Sequence, residues 1–174
     1  MAKKEIQIPE EVSFEIKNNT IKVEGENGKL EKEFKSPNIK IEKKNDKIIL
    51  TSLTKRKEDK SQLGTFSSHL KNMLKGVQED FKYKAKAVYS HFPIKIETND
   101  KQVLIKNFIG EESPRKVDII GEQTKVEVSG EELTIRGPDK EAVGQTAAKI
   151  EEETDIRGKD PRVFQDGIYV IERE

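Results

Sequence analysis

The segment 59–70, DKSQLGTFSSHL, is echoed at 139–150 by DKEAVGQTAAKI, eighty positions further on. Asp, Lys and Gly coincide. Leu63 answers Val143, Ser67 and Ser68 answer Ala147 and Ala148, and Leu70 answers Ile150, so large and small positions coincide too. In the first copy Leu63, Phe66, Leu70, Met73 or Leu74, and Val77 recur at three- and four-residue steps, the stripe of an amphipathic helix laid on a core. Val143, Ala147 and Ile150 repeat it. Asp59 is placed to cap the first helix with Gln62 three residues on, Gly76 to end it in a left-handed turn, and Pro138 before Asp139 to open the second. One helix is written twice.

Upstream of each helix the period changes to two. Phe14 and Ile16, Ile21 and Val23, Ile39 and Ile41, and Ile48 and Leu50 alternate with polar residues, as half-buried strands do. The second half answers with Ile94 and Ile96, Val103 and Ile105, Val117 and Ile119, Val126 and Val128, and Leu133 and Ile135. Asn18-Asn19, the GENG of 25–28, Asn45-Asp46, Asn99-Asp100, Gly110, Gly121 and Ser129-Gly130 supply the turns. The junction FKYKAKAVYSHFP (81–93) reads as a strand that closes the first half, followed by a hinge. The expected fold is therefore α+β: two tandem duplicated domains, 1–86 and 87–174, each a small, mostly antiparallel sheet covered by one helix. The shared Gly64 and Gly144 are expected to let each helix approach its sheet closely.

Composition removes several kinds of chemistry. The 174 residues contain no cysteine, which rules out disulfides, thiolate nucleophiles and thiolate zinc sites, and the two histidines lack an acidic pair at ligand spacing. Neither a metal nor a cofactor is expected. With 32% apolar and 38% charged residues, two thin cores are easier to build than one large one. No apolar run approaches the roughly 18 residues a membrane helix needs, and no signal sequence opens the chain, so a soluble intracellular protein is expected. The GENG segment lacks the Lys-Ser/Thr of a phosphate-binding loop, and no nucleophile, base and orienting group can be assembled into an enzyme site. Lys plus Arg equals Asp plus Glu at 33 each, but residues 1–86 hold 20 basic against 14 acidic residues and 87–174 hold 13 against 19. Any contact with a polyanion in the second half would have to come from local clusters of Lys and Arg.

Five segments carry a resemblance: NMLKGVQEDFKYK at 72–84, AVYSHFPI at 87–94, IKNFIGE at 105–111, DKEAVGQTAAKIEE at 139–152 and KDPRVFQDGIYV at 159–170. In order and over essentially the whole length, the chain resembles the large-subunit ribosomal protein six family in its archaeal and eukaryotic form. It departs at Asp80, where the family usually has glycine. The resemblance implies a non-enzymatic, cytoplasmic constituent of the ribosome. It further implies binding to large-subunit rRNA, chiefly by the second domain, near the stalk base, beside neighbouring ribosomal proteins and the docking region of translational GTPases. No membrane and no small-molecule substrate are implied.

RNA phosphates are met by Lys and Arg on exposed turns, and Asn and aromatics meet sugars and bases. Three clusters qualify: Lys106 and Asn107 with Arg115 and Lys116; Arg157, Lys159 and Arg162 after the second helix; and Lys82 and Lys84 with Lys86 on the junction strand. Phe108, Phe164 and Tyr169 are expected to plug domain edges, and His69 and His91 to pack or hydrogen-bond. The acidic run Glu151, Glu152, Glu153 and Asp155 reads as a solvated face. An alternative function is a protein-interaction module whose acidic second half recruits a basic, translation-related partner.

Overall fold

A computed structural model describes residues 2–174 and divides the chain into two compact units, Met1–Asp80 and Phe81–Glu174. In the first unit β1 (Lys3–Gln7), β6 (Lys47–Ser52) and β5 (Ile39–Lys44) form one antiparallel sheet in the order β1-β6-β5. A second sheet runs β2 (Ser13–Lys17), β3 (Thr20–Gly25), β4 (Gly28–Glu33). Helix α1 (Lys57–Gly76) packs on β6 and β1. Alternation along the strands sends Phe14, Ile21, Val23, Ile48 and Leu50 inward to meet Leu63, Leu70 and Val77 of the helical stripe.

The second unit repeats this wiring. Strands β7 (Phe81–Val88), β12 (Glu132–Gly137) and β11 (Lys125–Ser129) take the places of β1, β6 and β5, and β8 (Lys95–Thr98), β9 (Gln102–Lys106) and β10 (Arg115–Asp118) those of β2, β3 and β4. Helix α2 (Lys140–Glu153) corresponds to α1. The matched helical positions share their burial: Leu63 and Val143, Ser67 and Ala147, and Leu70 and Ile150 are buried, whereas Ser68 and Ala148 are exposed. One strand is new. β13 (Gly167–Arg173) pairs with the edge of β7 that its counterpart β1 leaves unpaired, giving a four-stranded sheet β11-β12-β7-β13. The α+β duplication thus stands, with the strands of each unit shared between two small sheets.

Several local expectations are corrected. The junction strand opens the second unit instead of closing the first: β7 pairs with β12 through Lys82 opposite Arg136 and with β13 through Lys86 opposite Tyr169. The boundary therefore falls between Asp80 and Phe81, not at 86/87. Helix α1 starts two residues before Asp59, with Arg56 at its cap position. Asp59 sits buried in the first turn and accepts hydrogen bonds from the Thr54 hydroxyl and, at 3.0 Å, from Asn38. Those bonds, Thr54's above all, hold its carboxyl below the ordinary aspartate range. Asp139 does cap α2, accepting from the backbone N–H of Glu141 at 3.0 Å.

Gly76 remains helical, and Val77 ends α1 in right-handed geometry. The tight glycine lies elsewhere. At Gly25 an added Cβ would stand 2.5 Å from the Val77 carbonyl oxygen, because the GENG hairpin caps the end of α1 through Asn27, which donates its backbone N–H to Val77 O and its side-chain amide to Gln78 O. Gly64 and Gly144 are looser, their nearest side-chain atoms 3.9 and 3.7 Å from an added Cβ, so close helix approach does not depend on them. Asp80 has no left-handed backbone, and the usual glycine can be replaced there without strain.

Candidate nucleic-acid interface

The first two predicted clusters are drawn toward one end of the second unit. β9 ends at Lys106, and its neighbour Ile105 lies opposite Arg115 on β10. Between them the chain turns sharply: Asn107, Ile109 and Gly110 all have positive φ, at 58°, 52° and 76°. Asparagine and glycine tolerate this region, but a β-branched residue is strained by it, so Ile109 must be held by its surroundings. The anchor is Phe108, 1% exposed in the core, whose ring is covered by the Arg115 guanidinium at 4.4 Å. Asn107 fastens the turn by donating its side-chain amide to Pro93 O at 3.0 Å.

Arg115 is built into the protein. Its Nε and one terminal nitrogen donate to both oxygens of Glu111 at 2.8 and 2.7 Å, and the other terminal nitrogen donates to the Glu153 carbonyl at the end of α2. The Glu111 hydrogen bonds push the guanidinium pKa up and the carboxyl pKa down. Lys106 is likewise paired, with Glu97 at 2.7 Å, and Lys84 with Glu172 at 2.5 Å, a bond that raises the lysine pKa. Four predicted contact residues, Lys106, Asn107, Arg115 and Lys84, are therefore engaged within the fold. Their side-chain chemistry was legible in sequence, but their partners were not.

The remaining cations are free to meet a ligand. Lys116, Arg157 and Arg162 are exposed, and their side chains have no partner among the described residues. The bond from Arg115 to Glu153 ties the start of β10 to the end of α2, four residues before Arg157. Lys159 stands over the Phe164 ring at 4.6 Å, and His91 stacks on the same ring at 4.7 Å and 19° between planes. The tail is pinned beneath them. Asp166, 3% exposed, accepts from the backbone N–H groups of Ser90 and His91, both at 3.3 Å, from the Ser90 hydroxyl at 3.1 Å and from His91 Nδ1 at 3.0 Å. Burial alone would raise its pKa, but these bonds outweigh burial and leave it lowered.

Ser90, His91 and Asp166 do not make a nucleophile relay. Serine and aspartate both meet Nδ1 of the same ring, whereas a relay needs the serine on the opposite nitrogen. No group of three metal-ligating side chains occurs among the described residues, and no helix is long and apolar enough to cross a membrane.

The third cluster belongs to another surface. Lys82 is exposed on the outer face of the four-stranded sheet, in register with Arg136 and, beyond it, Lys125. That row of cations crosses three strands and was missed in sequence, because residues 82, 125 and 136 become neighbours only through strand pairing. Carboxylates interrupt the face nearby, Glu127 binding Arg136 at 2.6 Å and Glu172 binding Lys84.

With this geometry in place, the chain can be set beside known proteins. The family model described as Ribosomal protein L6 matches residues 8–80 and 92–167. The chain belongs to the ribosomal protein L6 family. Each matched stretch falls within one structural unit, so the L6 repeat and the structural repeat are the same object. Large ribosomal subunit protein uL6 of Methanothrix thermoacetophila is 44% identical over 97% of this chain and 95% of its own. The uL6 of Staphylothermus marinus is 47% identical over 97% and 92%, and that of Haloarcula marismortui 44% over 99% and 97%. These L6 relatives are ribosomal proteins, not enzymes.

Proposed function

We propose that this chain is a constituent of the large ribosomal subunit in the cytoplasm. In this reading it binds large-subunit rRNA mainly through its second unit, near the stalk base and the region where translation factors dock. Membership of the L6 family along both repeats supports ribosomal residence. The observation that carries the RNA contact is the set of exposed, unpaired cations Lys116, Arg157 and Arg162 around the end of α2, with Lys159 beside them on the Phe164 ring. These residues suit phosphates because no internal carboxylate competes for them. Asn107 and Arg115 serve mainly to hold the 107–110 turn and the end of α2 in place, and Lys106 is paired with Glu97. Lys82 and Lys84 contribute less, since the carboxylates around them dilute the field.

The charge totals agree with local recognition instead of general attraction. Divided at the structural boundary, the first unit carries 17 basic and 14 acidic residues and the second 16 and 19, so neither attracts RNA strongly by net charge. Each neutralised phosphate releases counterions, and on a duplex-like site the slope of log affinity against log salt shallows by up to about 0.9 for every phosphate that is no longer neutralised. Arg157→Ala with Arg162→Ala is expected to weaken binding of the full chain to large-subunit RNA and to flatten that slope. Lys17→Ala with Lys44→Ala, two exposed lysines of the first unit, is expected to do much less. Equal weakening by both pairs means diffuse attraction, and no weakening by the arginine pair removes the tail from the RNA surface.

A further inference from the structure

The tail leaves a groove that the RNA reading does not use. A cavity of about 570 Å³ lies between the last turns of α2, the 155–166 segment and the start of β13. Ile156, Ile168, Phe164 and Tyr169 supply the apolar and aromatic part of its wall, while Glu152 and Asp155 stand on its rim. Tyr169 is exposed, and its hydroxyl is anchored by donating to Gln165 O at 2.9 Å, so the ring is held beside the opening. Arg157, Lys159 and Arg162 are not among the residues that line the groove, Lys159 touching only the Phe164 ring, and the charged side chains of the lining are carboxylates.

The two rim carboxylates are exposed, and their side chains have no partner among the described residues. Nor does the last turn of α2 carry a basic residue to offset the negative end of the helix. Glu151 adjoins them with one oxygen already taken by the backbone N–H of Val170 at 3.3 Å. Phosphate is repelled by such a rim, so an RNA backbone is the wrong occupant. A guanidinium is the right one: it is planar, weakly hydrated, forks onto carboxylates and lies flat on aromatic rings, and its aliphatic stem matches apolar walls.

We propose that this groove is a docking site for an arginine-bearing extended segment of a neighbouring basic protein, with one guanidinium seated between Glu152, Asp155 and the aromatic wall. The inference stands apart from the RNA reading, because Lys116, Arg157 and Arg162 do not line the groove; the two surfaces meet only at the Phe164 ring, over which Lys159 stands. The test uses the full chain labelled with ¹⁵N and the peptide acetyl-Gly-Arg-Leu-Arg-Gly-amide, with the Gln-for-Arg peptide as control. Saturable shifts of the Ile156, Phe164, Gln165 and Tyr169 amides are expected with the arginine peptide alone. Glu152→Gln with Asp155→Asn is expected to weaken that binding roughly fivefold, the effect of removing two exposed charge pairs, without weakening binding of large-subunit RNA. Shifts spread over both units without saturation, equal binding of the glutamine peptide, or displacement of the peptide by an RNA oligonucleotide seated in the same groove would each overturn the proposal.

Discussion

Replacing Arg115 with alanine separates a structural arginine from an RNA contact. Its side chain is 23% exposed, and it makes a two-pronged bond to Glu111, a bond to the Glu153 carbonyl and a cover over the Phe108 ring. Glu111 is 42% exposed, so solvent screening reduces the worth of that pair to about 1 kcal/mol. The carbonyl bond contributes about 1 kcal/mol and the ring contact about 0.5–1 kcal/mol, for a destabilisation of about 2–3 kcal/mol. In a unit of this size, Phe81–Glu174, that lowers the unfolding midpoint by roughly 10–20 °C. The chain offers a local reporter, since it has no tryptophan and its three tyrosines, Tyr83, Tyr89 and Tyr169, all lie in the second unit. Thermal unfolding followed by tyrosine fluorescence should show the drop. Arg115→Lys should recover part of it, because a single ammonium cannot span Glu111 and Glu153 together. An unchanged midpoint for Arg115→Ala, joined to a tenfold or greater fall in RNA affinity below the melting range, would refute the structural assignment and return Arg115 to the contact surface.

Other outcomes follow from single residues. Asp166→Ala removes the acceptor of two backbone N–H groups, a hydroxyl and an imidazole, and should destabilise the second unit by about 2–3 kcal/mol in the same fluorescence assay. Because the Asp166 pKa is lower in the folded protein than in the unfolded chain, the stability it confers is complete above the ordinary aspartate range and is lost as pH falls through the depressed folded value. Acid titration of Asp166→Asn should therefore show a shallower decline in stability at that end of the range than the natural chain, the remainder coming from carboxylates such as Glu111 whose pKa is also lowered. Gly25→Ala forces a Cβ against the Val77 carbonyl and should cost the first unit about 1–3 kcal/mol, measured by denaturant unfolding followed by circular dichroism. Gly64→Ala, where an added Cβ would make only an ordinary contact with the flexible Lys4 side chain, should instead stabilise that unit by about 0.5–1 kcal/mol, and destabilisation there would restore the close-approach role.

The sequence by itself determined the repeat, because a helix that buries one stripe must place apolar residues at fixed intervals, and the copies at 59–70 and 139–150 do so in step. It also determined the half-buried strands, whose alternation is written residue by residue, and the family. It was silent where structure depends on partners distant in the chain. Strand β4 is an edge strand whose half-buried positions are Gly28, Leu30 and Lys32, so with Leu30 its single apolar side chain it carries no alternating apolar signal. β1 lies in the charged opening segment KKEIQ, with only Ile6 buried. The boundary was misplaced because β7 alternates equally well whichever sheet it joins, and only the ladders to β12 and β13 assign it. For the same reason the basic residues could be counted but not sorted. Arg115 and Lys116 are adjacent and alike in charge, yet strand geometry turns one inward onto Glu111, Glu153 and Phe108 and leaves the other in water, a difference that pairing and packing decide and composition does not record.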